Sequence, residues 1–292
     1  MSEDDSVRKE VWDGKIPVCF TVDDRELSAS IKKTPEPCYM LVRRVTYFSM
    51  FYEKLEKLFA KETSAAVGDE MWLSSEEIPL KWHYPVGVLY DLYGNHLPWN
   101  ITVHFKNFPE DEILHCQGNE PVKTYFVSKL KEADYLKHKL EVFKELTQED
   151  TAQLWHGFLQ DQYSEFWGVN KKFMLNSRSV SEPFKNIPFC IYREGQPVFQ
   201  KLIASVVAQS AAADNNKEAE VQNQLQRQQT LEDLLRLYDS NLSFTQESGE
   251  HCPLVHFIHG IEVPLSVPLQ WLSENMSYPD NFLHICIVPK TN

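Results

Sequence analysis

The sequence predicts an α+β protein in which two copies of a sheet-and-helix unit flank a helix-rich middle. Three observations carry this reading: a repeated strand opening, matching ends of the two units, and a long amphipathic stretch between them. At 292 residues the chain has room for two domains, or three small ones, around a substantial core. Its 42% hydrophobic and 24% charged residues are ordinary for a folded protein and exclude a wholly disordered, collagen-like or coiled-coil-only chain.

The repeat is visible when Ile16-Pro17-Val18-Cys19-Phe20 is set beside Ile187-Pro188-Phe189-Cys190-Ile191. Each run opens an expected hairpin. The first turns at Asp23-Asp24 into Arg25 to Ile31, and the second at Glu194-Gly195 into Pro197 to Ile203. Both units also close alike, with a short helix and then a β-rich run. In the first these are Val86 to Tyr93 and Trp99 to Phe105; in the second, Leu269 to Asn275 and Phe282 to Val288. Between its ends the second unit adds a helix, Leu231 to Tyr238, a strand, Leu254 to Ile258, and a turn at His259-Gly260. The order hairpin, helix, strand, helix, strand, with a sheet packed on a helix, is that of a ubiquitin-like, or β-grasp, roll. The first copy is looser, since Tyr39 to Ala60 reads as an inserted helical segment.

In the middle, Phe126, Leu130, Ala133, Leu136, Leu140 and Phe143 recur at threes and fours and predict one apolar helix face. A second helix, about 151–172, carries Trp155, Phe158, Leu159, Tyr163, Phe166 and Trp167, an aromatic surface that requires a partner. The expected division is an N-terminal segment 1–10, a first ubiquitin-like domain 11–107, a linker 108–121, a helix-rich domain 122–180 and a second ubiquitin-like domain 185–290. Within the last, residues 208–230 are rich in Ala, Gln, Asn and Glu and read as a flexible insertion.

Forty-two acidic against 29 basic side chains give a net charge of −13, which opposes general nucleic-acid binding. No window approaches the roughly 18 apolar residues of a membrane span. The start Met1-Ser2-Glu3-Asp4-Asp5 is too acidic for a signal or transit peptide, so a soluble intracellular protein is expected. Cys19, Cys38, Cys116, Cys190, Cys252 and Cys286 are scattered with no C-x-x-C pair, which predicts reduced thiols.

Catalytic signatures fail in turn: there is no dinucleotide or P-loop glycine motif, no nucleophile elbow and no H-E-x-x-H. His251, Cys252, His256 and His259 form the best metal candidate, but His256 and His259 have opposite parity on a strand and need a turn at Gly260 to converge. His115-Cys116 would be a base and thiol, yet adjacent strand residues point apart. The carboxylate pairs Glu76-Glu77 and Asp23-Asp24 read as solvated. No metal, cofactor or catalytic residue is therefore expected.

On a helical wheel Lys131 falls nearly opposite the apolar stripe, whereas Lys129 and Lys137 fall on or beside it. Lys131 is expected to face solvent. By pattern alone it is an ordinary exposed lysine.

The string Leu130-Lys131-Glu132-Ala133-Asp134-Tyr135-Leu136-Lys137-His138-Lys139 resembles the autophagy protein five family. So do Pro79-Leu80-Lys81-Trp82-His83-Tyr84-Pro85, Leu97 to Phe105, Pro268-Leu269-Gln270-Trp271-Leu272-Ser273 and Tyr278 to Ile285, in the family's order from about residue 11 to residue 289. The stretch Ala208 to Thr230 departs from it, being longer and richer in Gln. The resemblance implies two ubiquitin-like domains flanking a helix-rich domain, in agreement with the repeat. It also implies that one lysine, by motif position Lys131, accepts the C-terminal glycine of the ubiquitin-like autophagy protein twelve through an isopeptide bond. E1-like and E2-like enzymes would act transiently. The N-terminal helix of the coiled-coil autophagy protein sixteen would dock in a groove for which Trp12, Gly87 and Gly260 are candidate lining residues. The resulting complex would act like an E3 ligase, promoting lipidation of the family-eight modifier on phosphatidylethanolamine. The protein would be cytoplasmic and peripheral at the preautophagosomal, or isolation, membrane. From the residues alone, a ubiquitin-like signalling adaptor without covalent attachment and a hydrolase with an unrecognised carboxylate site stay open.

Overall fold

The computed structural model describes residues 3–29, 35–63, 70–174, 183–208, 226–240 and 254–290. The chain enters with helix α1 (Glu3–Asp13), so the expected division between residues 10 and 11 falls inside an element. Strand β1 (Lys15–Val22) follows, sending Ile16, Val18, Phe20 and Val22 into the first core. Its hairpin partner is not 25–31. The Asp23 carboxylate accepts a hydrogen bond from the Arg25 N–H at 2.9 Å and starts a 3₁₀ turn over Asp24–Glu26, which carries the chain away from the sheet. Residues 30 and 31 of the expected arm lie outside the described residues. The antiparallel partner is β2 (Cys38–Arg43), in register from Lys15↔Arg43 to Phe20↔Cys38. Tyr39 to Ala60 is thus no single helical insertion. It opens with β2, and only after a 3₁₀ turn at Phe48–Phe51 does α2 (Tyr52–Phe59) bury Leu55 and Phe59 in the core.

Strands β3 (Trp72–Ser75) and β4 (Ile78–Pro79) form a hairpin whose two turn residues, Glu76 and Glu77, adopt φ of 47° and 69°. Helix α3 (Val86–Tyr93) leads to β5 (Trp99–His104), which runs parallel to β1 and completes the order β2-β1-β5-β3-β4.

The middle domain holds α4 (Glu120–His138), α5 (Glu141–Glu145), α6 (Gln148–Leu159) and α7 (Tyr163–Met174). Helix α4 ends where Lys139 and Leu140 take left-handed backbone at φ 57° and 66°, so Leu140 and Phe143 leave the expected apolar series. The single helix expected near 151–172 is likewise two. Asp161 at φ 58° interrupts it, and a Cβ on Gly157 would stand 2.6 Å from the Phe166 nitrogen. The bare glycine lets α7 fold back closely on α6, and the two helices share their aromatics with Trp12 and Phe126.

In the second ubiquitin-like domain, β6 (Phe189–Tyr192) meets its return arm through the bridge Ile191↔Phe199, with Asn186↔Ala204 just before it. Strands β7 (Val206–Ala208) and β8 (Gln226–Gln228) pair at the flanks of the expected insertion; residues 209–225 of it lie outside the described residues. Helix α8 (Leu231–Tyr238) starts at a capping box in which the Asp233 carboxylate accepts from the Thr230 N–H at 2.8 Å. Strand β9 (Leu254–Phe257), helix α9 (Leu269–Asn275) and strand β10 (Leu283–Pro289) complete the order β6-β10-β9. As β5 is parallel to β1, so β10 is parallel to β6, the shared signature of the two rolls. No helix among the described residues is long and apolar enough to cross a membrane.

The two rolls meet where α3 packs on β10. Arg44, just past β2, pairs with Asp91 on α3 and donates to the Gly87 carbonyl at 3.2 Å, while the Gly260 N–H donates to Asp91 Oδ2 at 2.9 Å. A Cβ on Gly87 would lie 2.9 Å from the Tyr278 hydroxyl and 3.0 Å from the Arg44 carbonyl oxygen. Gly87→Ala should therefore overpack this joint and destabilise the protein by about 1–3 kcal/mol. Urea unfolding measures it; an unchanged midpoint would show that the joint has slack.

Candidate functional site

Helix α4 bridges the two rolls, and its second half carries three lysines in three different environments. Leu130 and Ala133 are buried, and Lys131, on the other side of the helix, is exposed. Its Nζ stands 5.0 Å from the centre of the Phe143 ring. Phe143 is brought there by the left-handed turn after α4 and by the buried Asp134, whose Oδ2 accepts the Phe143 N–H at 2.7 Å. Burial pushes the Asp134 carboxyl above its ordinary range, with that hydrogen bond opposing.

On either side of Lys131 the helix is tied to the second roll. Lys129 pairs with Glu132 at 2.9 Å and lies 4.5 Å over the Phe282 ring, and Glu132 also accepts from Gln200. Further along, the Lys185 N–H donates to the Lys137 carbonyl and the Asn186 N–H to the Leu136 carbonyl, both at 3.2 Å. The arrangement is an exposed amine on a helix bonded to the second roll on both sides of it.

Lys137 is 2% exposed. Among the described residues its Nζ meets only the Met174 sulfur, at 3.3 Å, and the Phe184 ring, at 4.5 Å. Burial brings its pKa down to about 7, against the more distant carboxylates of Glu274, Asp134 and Asp280.

The other expected site residues fall in two places. Trp12 is 4% exposed, and its indole N–H donates to Asp161 Oδ1 at 2.9 Å beneath the Arg43 guanidinium. It lines a narrow crevice with Val11, Tyr163, Phe166, Met174 and Tyr278. Gly87 is buried in the joint between the rolls, and Gly260, exposed at φ 75°, lies against the same Arg44. Structure thus brings Gly87 and Gly260 together and sets Trp12 among the helices. Sequence reasoning missed Arg44, Asp91 and Gln200, and it singled out Phe143 and Tyr278 without a part in these places, which all five build. Only Lys129–Glu132, at helical spacing i, i+3, left a local signal.

Of the metal candidates, His251 and Cys252 lie outside the described residues, while His256 and His259 each meet a backbone carbonyl, of Val263 at 2.6 Å and Met276 at 2.9 Å. His115 does not face the Cys116 thiol. Its ring nitrogens meet Glu70 and Glu110 at 2.6 and 2.8 Å, and burial pushes the thiol up to about 12. A cluster not foreseen is Asp23, Glu26 and His104, whose potential ligand atoms lie within 4.8 Å of one another. Its members are already engaged: Arg25 grips Asp23 at 2.7 Å, the Phe105 N–H donates to Glu26 at 2.6 Å, and Ser74 bonds His104 Nε2 at 2.8 Å. Cys19, Cys38, Cys116, Cys190 and Cys286 are free thiols, and Cys252 lies outside the described residues.

Three family models match the chain: the autophagy protein ATG5 UblA domain at residues 11–105, its alpha-helical bundle region at 119–176 and its UblB domain at 186–287. Autophagy protein 5 of Drosophila melanogaster is 34% identical over 98% of both chains. Autophagy-related protein 5 of Caenorhabditis elegans is 29% identical, again over 98% of both. The crystal structure of Kluyveromyces marxianus Atg5 has the same fold, with a TM-score of 0.74 at 18% identity, covering 97% of this chain and all of that one.

Lys137 makes stability depend on pH. Between about 7 and the ordinary lysine value of 10.5, the unfolded chain holds a proton that the folded chain has released, so stability rises with pH across that window. Below about 7 the cost of burying the charge is fully present. Lys137→Met, which keeps the length and drops the amine, should exceed the wild type by about 2–4 kcal/mol near neutrality, with the gap closing toward the alkaline end. Urea unfolding of both proteins at three pH values across the window checks this, and a constant gap would refute it.

Proposed function

The chain belongs to the autophagy protein 5 family and has its role in autophagy; from that premise and the geometry of α4, we propose that Lys131 is the acceptor of autophagy protein twelve. The observation that carries the reading is the exposed amine on a helix tied down on both sides, with Lys137 of the same helix sealed inside. In the reaction, the Lys131 nitrogen attacks the thioester carbonyl carbon at the C-terminal glycine of autophagy protein twelve. The E2 cysteine leaves as thiolate, a proton leaves the nitrogen, and the isopeptide bond remains. Lysine amines are protonated near neutrality as a class, so alignment and desolvation come from the charged E2-like enzyme, itself loaded by an E1-like enzyme. No side chain of this chain is assigned a catalytic part.

The same reading places the N-terminal helix of autophagy protein sixteen at the crevice beside Trp12, where Val11, Phe166 and Met174 offer apolar contact. Gly87 and Gly260 act from behind it by setting the angle between the rolls. The conjugate then promotes lipidation of the family-eight modifier on phosphatidylethanolamine in an E3-like way, and reaches the isolation membrane as a peripheral complex. No cofactor enters the proposed reaction.

Lys131→Arg keeps charge and helix propensity and removes the primary amine. With purified conjugation enzymes and ATP, the wild type should shift to one slower band on a denaturing gel and the variant should stay unshifted. A slower band from the variant would sink Lys131 as sole acceptor.

A further inference from the structure

The first sheet ends on β2, and its rim carries two uncovered residues. Antiparallel ladders alternate bonded and non-bonded pairs. The Arg44 N–H donates to the Gly14 carbonyl at 2.9 Å, so Cys38, Met40 and Val42 are the residues that bond β1; in keeping with this, Pro17, opposite Leu41, has no N–H to give. The N–H and C=O of Tyr39 and Leu41 therefore point away from β1, and no described residue bonds them. Their side chains are 68% and 70% exposed. Sheet rims are ordinarily guarded by charge, proline, a bulge or a covering element. Among the described residues, none of those guards these two positions.

Met40, between them, faces inward, and Lys54 of α2 holds its ammonium 3.2 Å from the Met40 sulfur with no carboxylate partner among the described residues. A strand added at the usual spacing of about 4.8 Å would set its outer side chains beside Tyr39 and Leu41. One inner side chain would come beside Met40, within reach of Lys54.

We propose that the β2 rim takes an extended segment of a partner protein by strand addition, apolar at alternate positions and bearing one Asp or Glu on the inner face toward Lys54. A second copy of this chain does not fit as well. Two-fold pairing that sets Tyr39 against Leu41 would bring Met40 against Met40 and Lys54 toward Lys54, between chains that each carry −13.

The test uses the full chain and a fluorescein-labelled, amidated peptide of alternating Val and Thr with one central Glu on the Thr face. Fluorescence anisotropy should show saturable binding, and hydrogen exchange at the Tyr39 and Leu41 amides should slow on binding. Leu41→Pro removes a rim donor and no ladder bond, and should weaken binding by about tenfold. Lys54→Glu should weaken it by roughly fivefold, and a peptide with Lys in place of Glu should restore it. Should Leu41→Pro fail to fold by circular dichroism, the Lys54→Glu charge swap decides. Absence of saturable binding at millimolar peptide, equal binding by the folded Leu41→Pro protein, failure of the charge swap, or a peptide-free dimer with protected Tyr39 and Leu41 amides would each overturn the proposal.

Discussion

The joint between the two rolls holds one largely buried ion pair, Arg44 with Asp91, beside a buried apolar cluster that joins Val45 and Val88 of the first roll to Tyr192, Tyr278, Phe282 and Cys286 of the second. The surroundings of the pair are built to keep it. Asp91 also accepts the Gly260 N–H, and Arg44 also reaches the Gly87 carbonyl, so both charges retain further partners after leaving water. Removing one member of such a pair typically costs about 3–5 kcal/mol, because the other is left buried and alone. Burial also brings His259, stacked on Tyr278 at 4.0 Å, down to about 3. The imidazole is neutral there and does not repel the guanidinium. Among the described residues, Gly87 and Gly260 are the two places where the backbone comes too close to Arg44 or Tyr278 to carry a Cβ freely.

Helix α4 packs against that joint through Ala133 and against the helical core through Val122, Phe126 and Leu130. Once the second roll is set, Phe282 and Gln200 meet Lys129 and Glu132, and the chain entering β6 bonds the end of the helix. The consequence is a sorting of amines. Burial pulls the Lys129 ammonium down, yet the Glu132 hydrogen bond carries it above its ordinary value and holds it in place. Lys137 is enclosed by Met174 and Phe184. Of these three lysines only Lys131 is exposed, and it stands on a support held by long-range contacts as well as by helical hydrogen bonds.

Much of the fold was legible because β-grasp rolls write their pattern locally. The paired openings at Ile16 and Ile187, the closing helices at Val86 and Leu269 and the exposed side of α4 all follow from alternation or from helical periodicity. The first hairpin was misread because Arg25 to Ile31 also alternates. The local capping bond at Asp23 decides against a strand there, and β2, after a longer connection, takes its place. The helix expected over 151–172 failed for a related reason. Apolar spacing persists through its break, and the need of Phe158 and Phe166 to share one core turns the chain at Asp161.

By itself, then, the sequence determined the class of the fold, the order of its three parts and the side of α4 on which Lys131 stands, since these depend on residues within a few positions of one another. Tertiary structure alone decided that Arg44 would find Asp91, that Trp12 would be enclosed by α6 and α7, and that the Tyr39 and Leu41 side chains would stand exposed. The first two of these join residues 47 and 149 positions apart. Such contacts are selected by how whole elements pack, and no local period records them.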